Sequence, residues 1–219
     1  MNNVRLSILY TYFGQKERIP GILKEKHPKT RVIIVDDCHP DALQALPGVD
    51  VYRVEDDITW NQPGAKNLGF QEAKGWVVCA DIDHLVTKKN VEEILKLKKE
   101  RGTIYFLGRE DTDSWNVFLI HKDDFEKIGG YDEDFSGNYG YEDMELLWRC
   151  QRTMKLVQRR DIKVKVFAEE SSTKLDRDTT VNNEKAERNM YQIINTGKRV
   201  RFRWKKLQSL RQSRATKTI

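Results

Sequence analysis

The apolar positions of this chain fall into short runs separated by polar stretches rich in glycine and proline. Leu6–Tyr10 (LSILY), Arg31–Val35 (RVIIV) and Trp76–Ala80 (WVVCA) are nearly unbroken apolar runs of strand length. Strands covered on both faces have this pattern. Val49–Val54 alternates and predicts a further strand after the Pro47-Gly48 turn. Strands are also predicted at Thr103–Leu107, Asn116–His121 and Ile162–Phe167. Helices are predicted at Gln15–Lys26 (interrupted near Pro20-Gly21), Ala65–Ala73, Val91–Glu100, Asp123–Ile128, Glu142–Met154 and Asn183–Asn195, and Trp60–Gly64 reads as a loop. Asn90 with Glu93 has the form of a capping box, Gly102 that of a C-cap, and Met144, Leu147 and Trp148 stand at helical spacing. Strands and helices alternate through the first half, which predicts an α/β fold with a mostly parallel sheet flanked by helices. Ligands bind such sheets beyond the carboxyl ends of their strands.

Composition adds a charge asymmetry. Nine of the 39 Lys and Arg lie in Lys198–Ile219, which has no Asp or Glu; the remainder carries 30 basic against 34 acidic residues, a net −4. The sequence therefore divides into a domain over residues 1–197 and a basic C-terminal tail over 198–219. No apolar run approaches the ~20 residues of a membrane span, and the start, MNNVRLSILY, lacks a signal peptide's apolar core. A cytoplasmic protein is expected, in the host cytoplasm if viral. The three widely spaced cysteines predict neither a disulfide framework nor a zinc site.

The candidate chemistry is acidic. Asp81 and Asp83 follow a buried strand, where two carboxylates are costly unless a cation meets them. A hard divalent cation carrying a phosphate-bearing ligand suits them; so does simple capping of the next loop or helix. Asp36 also closes a strand, so these acids are expected on one edge. Glu142-Asp143 open a helix, where the dipole favours a carboxylate and an ionised Asp can take a proton from an attacking hydroxyl; capping is again the alternative. Trp60 and Trp115 lie in loops, to pack or to stack on a ring. His84 and His121 are expected to be structural.

Four segments in order, LSILYTYFG, IIVDD, GAKNLGFQEAKGWVVCADID and FLIHKDDFEKIGGYDEDFSGNYGYED, resemble the GT-A nucleotide-sugar glycosyltransferases. The first three are similar to the family-2 pattern and the fourth to the galactosyltransferase C-terminal pattern. The likeness covers Leu6–Gln151. It implies a GT-A fold, with a Rossmann-like mixed sheet, and a metal-dependent inverting transferase of hexosyl or N-acetylhexosaminyl type. By position it implies that Tyr10, Thr11 and Tyr12 line the nucleobase pocket of a UDP-sugar and that Asp36 binds the uracil or its ribose. It sets Lys66 and Asn67 near the donor, and has Asp81 and Asp83 hold Mn2+ or Mg2+ on the diphosphate. Asp143 is implied as the catalytic base, with Glu142 beside it. Many members supply a metal-binding His after the last core strand. Here VFAEES stands instead, and Glu169 or Glu170 can substitute as a carboxylate ligand or simply be solvated.

In the tail, Phe202 and Trp204 interleave with basic residues. Arg201, Arg203, Trp204, Lys205 and Lys206 suit phosphate contacts and base stacking, so DNA is an expected partner. An anionic membrane surface and a solubilising tail are the other readings. A small GT-A domain also resembles viral and phage enzymes that glycosylate modified DNA bases. That likeness makes 5-hydroxymethylcytosine in DNA the expected acceptor, with a glycan or lipid-linked acceptor at a membrane, or a non-catalytic nucleic-acid-binding protein, as alternatives.

Overall fold

The computed structural model describes residues 5–109, 113–167, 177–191 and 199–208. Its frame is a nine-stranded mixed sheet. In chain order the strands are β1 (Leu6–Tyr12), β2 (Thr30–Asp36), β3 (Asp50–Val54), β4 (Trp76–Asp81), β5 (His84–Leu85), β6 (Thr103–Arg109), β7 (Asp113–His121), β8 (Lys155–Val166) and β9 (Trp204–Leu207). They lie side by side as β5-β8-β6-β7-β4-β1-β2-β3-β9. β3, β2, β1 and β4 are parallel, and β6 is parallel to β8. β7 runs antiparallel between β4 and β6, and β5 and β9 are antiparallel edges.

Both faces of the sheet are covered, which is why its central strands are apolar without alternation. On one face Ile8, Tyr10, Val32 and Ile34 pack under helices α1 (Ile19–Lys24) and α3 (Lys88–Lys96). On the other, Leu9, Ile33 and Val35 pack against α2 (Gln62–Glu72), α4 (Lys122–Lys127) and α5 (Glu142–Thr153). α2 lies so close to β1 that a Cβ on Gly69 would meet Leu9 Cδ1 at 2.1 Å. The sixth helix, α6 (Thr180–Asn189), packs on α5.

Several boundaries differ from expectation. α2 begins at Gln62, inside the expected loop, because Pro63 falls in the first turn where no N–H is required. The capping box of α3 is Thr87 with Asn90, three residues earlier than Asn90 with Glu93. That helix stops at Lys96, and the Lys99 ammonium donates to the carbonyls of Ile94 and Leu97. β8 starts at Lys155, in a polar segment that only its pairing with β6 makes a strand. On α5 the expected apolar stripe is only partly the buried face: Leu147 is buried and Trp148 half-buried. Met144 is 39% exposed, while Glu145 and Arg149 pair inside the protein beside Leu146, Leu147 and Cys150. The expected division after residue 197 coincides with no break in the sheet: Trp204–Leu207 form its edge beside β3, and Phe202 is buried in the core.

Candidate active site

The carboxyl ends of β1, β2 and β4 open into a cleft of about 840 Å³, closed on the far side by residues 139–144 at the head of α5. Parallel strands all end on this side, so each delivers its first polar residue to the same edge. Thr11, Asp37, Asp81, Asp83, Glu142 and Asp143 line it.

Asp81 is tightly held. Its Oδ1 accepts from Gln62 Nε2 at 2.6 Å and lies 3.3 Å from Lys66 Nζ, and its Oδ2 accepts from Asn116 Nδ2 at 3.0 Å. The Lys66 side chain is wholly buried between two acids and also lies 3.0 Å from Asp143 Oδ1. A buried ammonium needs such partners. The same Asp143 oxygen accepts the Tyr131 hydroxyl at 2.7 Å, leaving Oδ2 for another partner. Burial raises the Asp81 carboxyl above its usual range, with Lys66 opposing. Burial, with Asp143 next to it, also pushes Glu142 up to about 7, and burial pushes Asp37 to about 7.

Asp83 sits further out, and burial would raise it; the His84 imidazole, Arg18 and Arg109 outweigh this and hold it below the usual value. His84 Nδ1 stands 2.6 Å from Asp83 Oδ1, yet the contact lacks hydrogen-bond alignment, so it is a close approach and not a hydrogen bond. Buried atoms without hydrogen-bond partners gather around the cleft: Asp37 Oδ1, Glu142 Oε2, Asp83 Oδ1 and Trp60 Nε1. Each such atom costs on the order of 1–3 kcal/mol, a cost a polar ligand would remove. Trp60 and Tyr141 both line the cleft at positive φ, +48° and +67°, and such strain in bulky residues gathers at functional sites. Trp60 packs on Tyr139, ring centroids 4.6 Å apart. The ligand-capable atoms of Asp81, Asp83 and His84 lie within 4.8 Å of one another, and this donor set fits a divalent cation.

No curated protein matches the chain. Residues 109–177 match the model of the family described as glycosyltransferase like family 2. Among solved structures, a mutant of Drosophila β-1,4-galactosyltransferase 7 in complex with manganese, UDP-Gal and xylobiose aligns at a TM-score of 0.58 and 13% identity. The alignment covers 90% of this chain and 83% of that one. GalNAc-T7 with UDP, GalNAc and Mn2+ aligns at 0.57 and 14%, over 80% of this chain and 45% of that one. The fold is GT-A.

The GT-A cleft contains Thr11, Tyr12, Asp81, Asp83, Glu142 and Asp143 of the residues expected from sequence. Others lie elsewhere. Tyr10 is deep in the core, its hydroxyl accepting from the Val86 N–H. Asp36 is fully buried; Arg53 Nη1 at 2.5 Å and the Leu43 N–H at 2.9 Å occupy its carboxylate, and Asp37, one residue on, faces the cleft instead. Lys66 stands behind the acids. Asn67 brackets the Tyr131 backbone, donating to its carbonyl and accepting from its N–H, and reaches Glu133 at 2.9 Å. Glu169 and Glu170 lie outside the described residues. Trp115 is absent from the cleft lining and packs on Phe106. The sequence reading missed Asp37, Gln62, Asn116 and Tyr131; only the doubled Asp in IIVDD carried a local signal.

The residues expected to meet DNA are engaged within the protein. Arg201 pairs with Asp134 at 2.7 Å, Arg203 with Asp56 at 2.7 Å, Lys205 with Glu55 at 2.9 Å and Lys206 with Asp50. Trp204 lies edge-on to Tyr52. Within the described residues, these four cations meet acids of the domain. No helix among the described residues is long and apolar enough to cross a membrane.

Proposed function

We propose that the protein is a metal-dependent glycosyltransferase that moves a sugar from a UDP-sugar to a hydroxyl acceptor with inversion. One observation carries this reading: Asp81 and Asp83, from the end of β4, and Asp143, from the head of α5, line one cleft. Asp81 and Asp83 would hold the cation, which would supply positive charge to offset that on the departing diphosphate. Arg18 and Arg177, which also line the cleft, add positive charge for the same group. Asp37 and Thr11 face the donor's nucleoside end. Asp143 Oδ2 takes the proton of the acceptor hydroxyl as that oxygen attacks the anomeric carbon, and attack opposite the leaving group inverts that carbon.

Trp60, Tyr139 and Tyr141 give the cleft an aromatic wall, which supports a ring-bearing alcohol as acceptor. The reading of 5-hydroxymethylcytosine in DNA drew on the basic segment, of which Arg201, Arg203, Lys205 and Lys206 form ion pairs with acids of the domain.

Calorimetry with UDP and Mn2+ tests the site: binding should require the metal and vanish in Asp83→Ala. Equal binding without metal would exclude the reading. Mass spectrometry of hydroxymethylated DNA and of small saccharides, each incubated with a panel of nucleotide sugars, then identifies the acceptor.

A further inference from the structure

We propose that His84 is a direct nitrogen ligand of the divalent cation held by Asp81 and Asp83, and that it makes this site prefer Mn2+ to Mg2+. The inference rests on the metal-dependent reading above. The His84 side chain is completely enclosed, and neither ring nitrogen makes a hydrogen bond among the described residues. The other histidines are accounted for: His27, His39 and His121 each use Nδ1 to accept a backbone N–H in a local turn.

His84 alone combines full burial, unsatisfied nitrogens and two carboxylates within 4.8 Å. A ring nitrogen and a carboxylate oxygen 2.6 Å apart without an aligned N–H between them repel unless a cation is shared. A divalent cation with ligands at roughly 2.0–2.6 Å could reach all three side chains, because their ligand atoms lie within 4.8 Å of one another. The backbone is braced in this geometry. His84 pairs with Val166 across β5 and β8, and the Phe167 N–H donates to the Asp83 carbonyl at 2.9 Å. Mg2+ takes oxygen ligands and releases water reluctantly, whereas a transition ion accepts imidazole.

Electron spin-echo envelope modulation of the full chain with Mn2+ and UDP tests this directly. The spectrum should show nitrogen coupling from one bound imidazole, altered when the histidines carry 15N. In His84→Phe the coupling should disappear and Mn2+ affinity should fall by roughly tenfold or more, with Mg2+ affinity unchanged. Should that variant not fold, the labelled wild-type spectrum decides alone. Mn2+ and UDP binding without histidine coupling would overturn the inference and leave the proposed function standing. No Mn2+–UDP binding at all would sink both.

Discussion

At the scale of single residues, the site is a set of acids whose surroundings set different tasks. Asp143 shares one oxygen between the Lys66 ammonium and the Tyr131 hydroxyl, which fixes the carboxylate and directs the other oxygen outward. Asp143→Asn should keep UDP and Mn2+ binding and lower turnover by roughly 10²–10⁴-fold, the range for a general base. Tyr131→Phe, which loses a hydrogen bond to a charged group, should lower turnover by about tenfold with donor KM unchanged. Steady-state kinetics separates the two. Asp37 makes a different prediction. Its folded pKa of about 7 lies above the unfolded value of 3.8, so the native state holds a proton there that the unfolded chain has already lost. Between these values stability falls as pH rises, and the penalty is complete above pH 7. Asp37→Asn, which cannot ionise, should therefore raise Tm over wild type at pH 8 and change it little below pH 4. An equal shift at both pH values would contradict the assignment.

At the scale of elements, two devices hold the head of α5 against the sheet. The first is the buried Glu145–Arg149 pair, in which Arg149 also donates to the carbonyls of Ile128 and Gly130 at 2.6 and 2.7 Å. It ties α5 to the turn that presents Tyr131. At Gly130 (φ +64°) a Cβ would meet Asn67 Oδ1 at 2.7 Å, so the turn needs glycine. Arg149→Met strands a buried carboxylate and should destabilise the fold by about 3–5 kcal/mol, measured by urea unfolding. The second device is the C-terminal segment. Glu133, beside the same loop, accepts from the N–H groups of Val200 and Arg201 and from Asn67. β9 then extends the sheet. A chain ending at Gly197 loses the edge strand and the buried Phe202. It should lose several kcal/mol of stability, since removing one buried Phe side chain costs about 3–5 kcal/mol. Turnover should fall with it, because Asn67, Tyr131 and Glu133 form one network that ends on Asp143. If the shortened chain kept full stability and turnover, the segment would be an appendage.

At the scale of the whole molecule, the cleft is the joint between the parallel sheet and the α5 region, so filling it links the two. Ligand at a hundred times its Kd adds about 2.7 kcal/mol to the native state. For a chain of 219 residues that corresponds to a Tm rise of roughly 5–11 °C with UDP and Mn2+ together. Either component alone should give a smaller shift, and a thermal scan distinguishes these cases.

The sequence by itself determined the layer architecture. LSILY, RVIIV and WVVCA had to be strands covered on both faces, since so little in them tolerates water, and their ends had to carry the polar residues. Asp81, Asp83 and Glu142-Asp143 were legible because each stands where an apolar run stops or a helix begins. Tertiary structure alone decided which acid of a pair faces the cleft. Asp36 turns to Arg53, seventeen residues away, and Asp37 to the cleft. It also buried Lys66 between acids 15 and 77 residues distant and placed Arg203 against Asp56 across 147 residues. Such pairings carry no local signal, because a charged side chain's neighbours in sequence say nothing of the opposite charge that the fold brings to meet it.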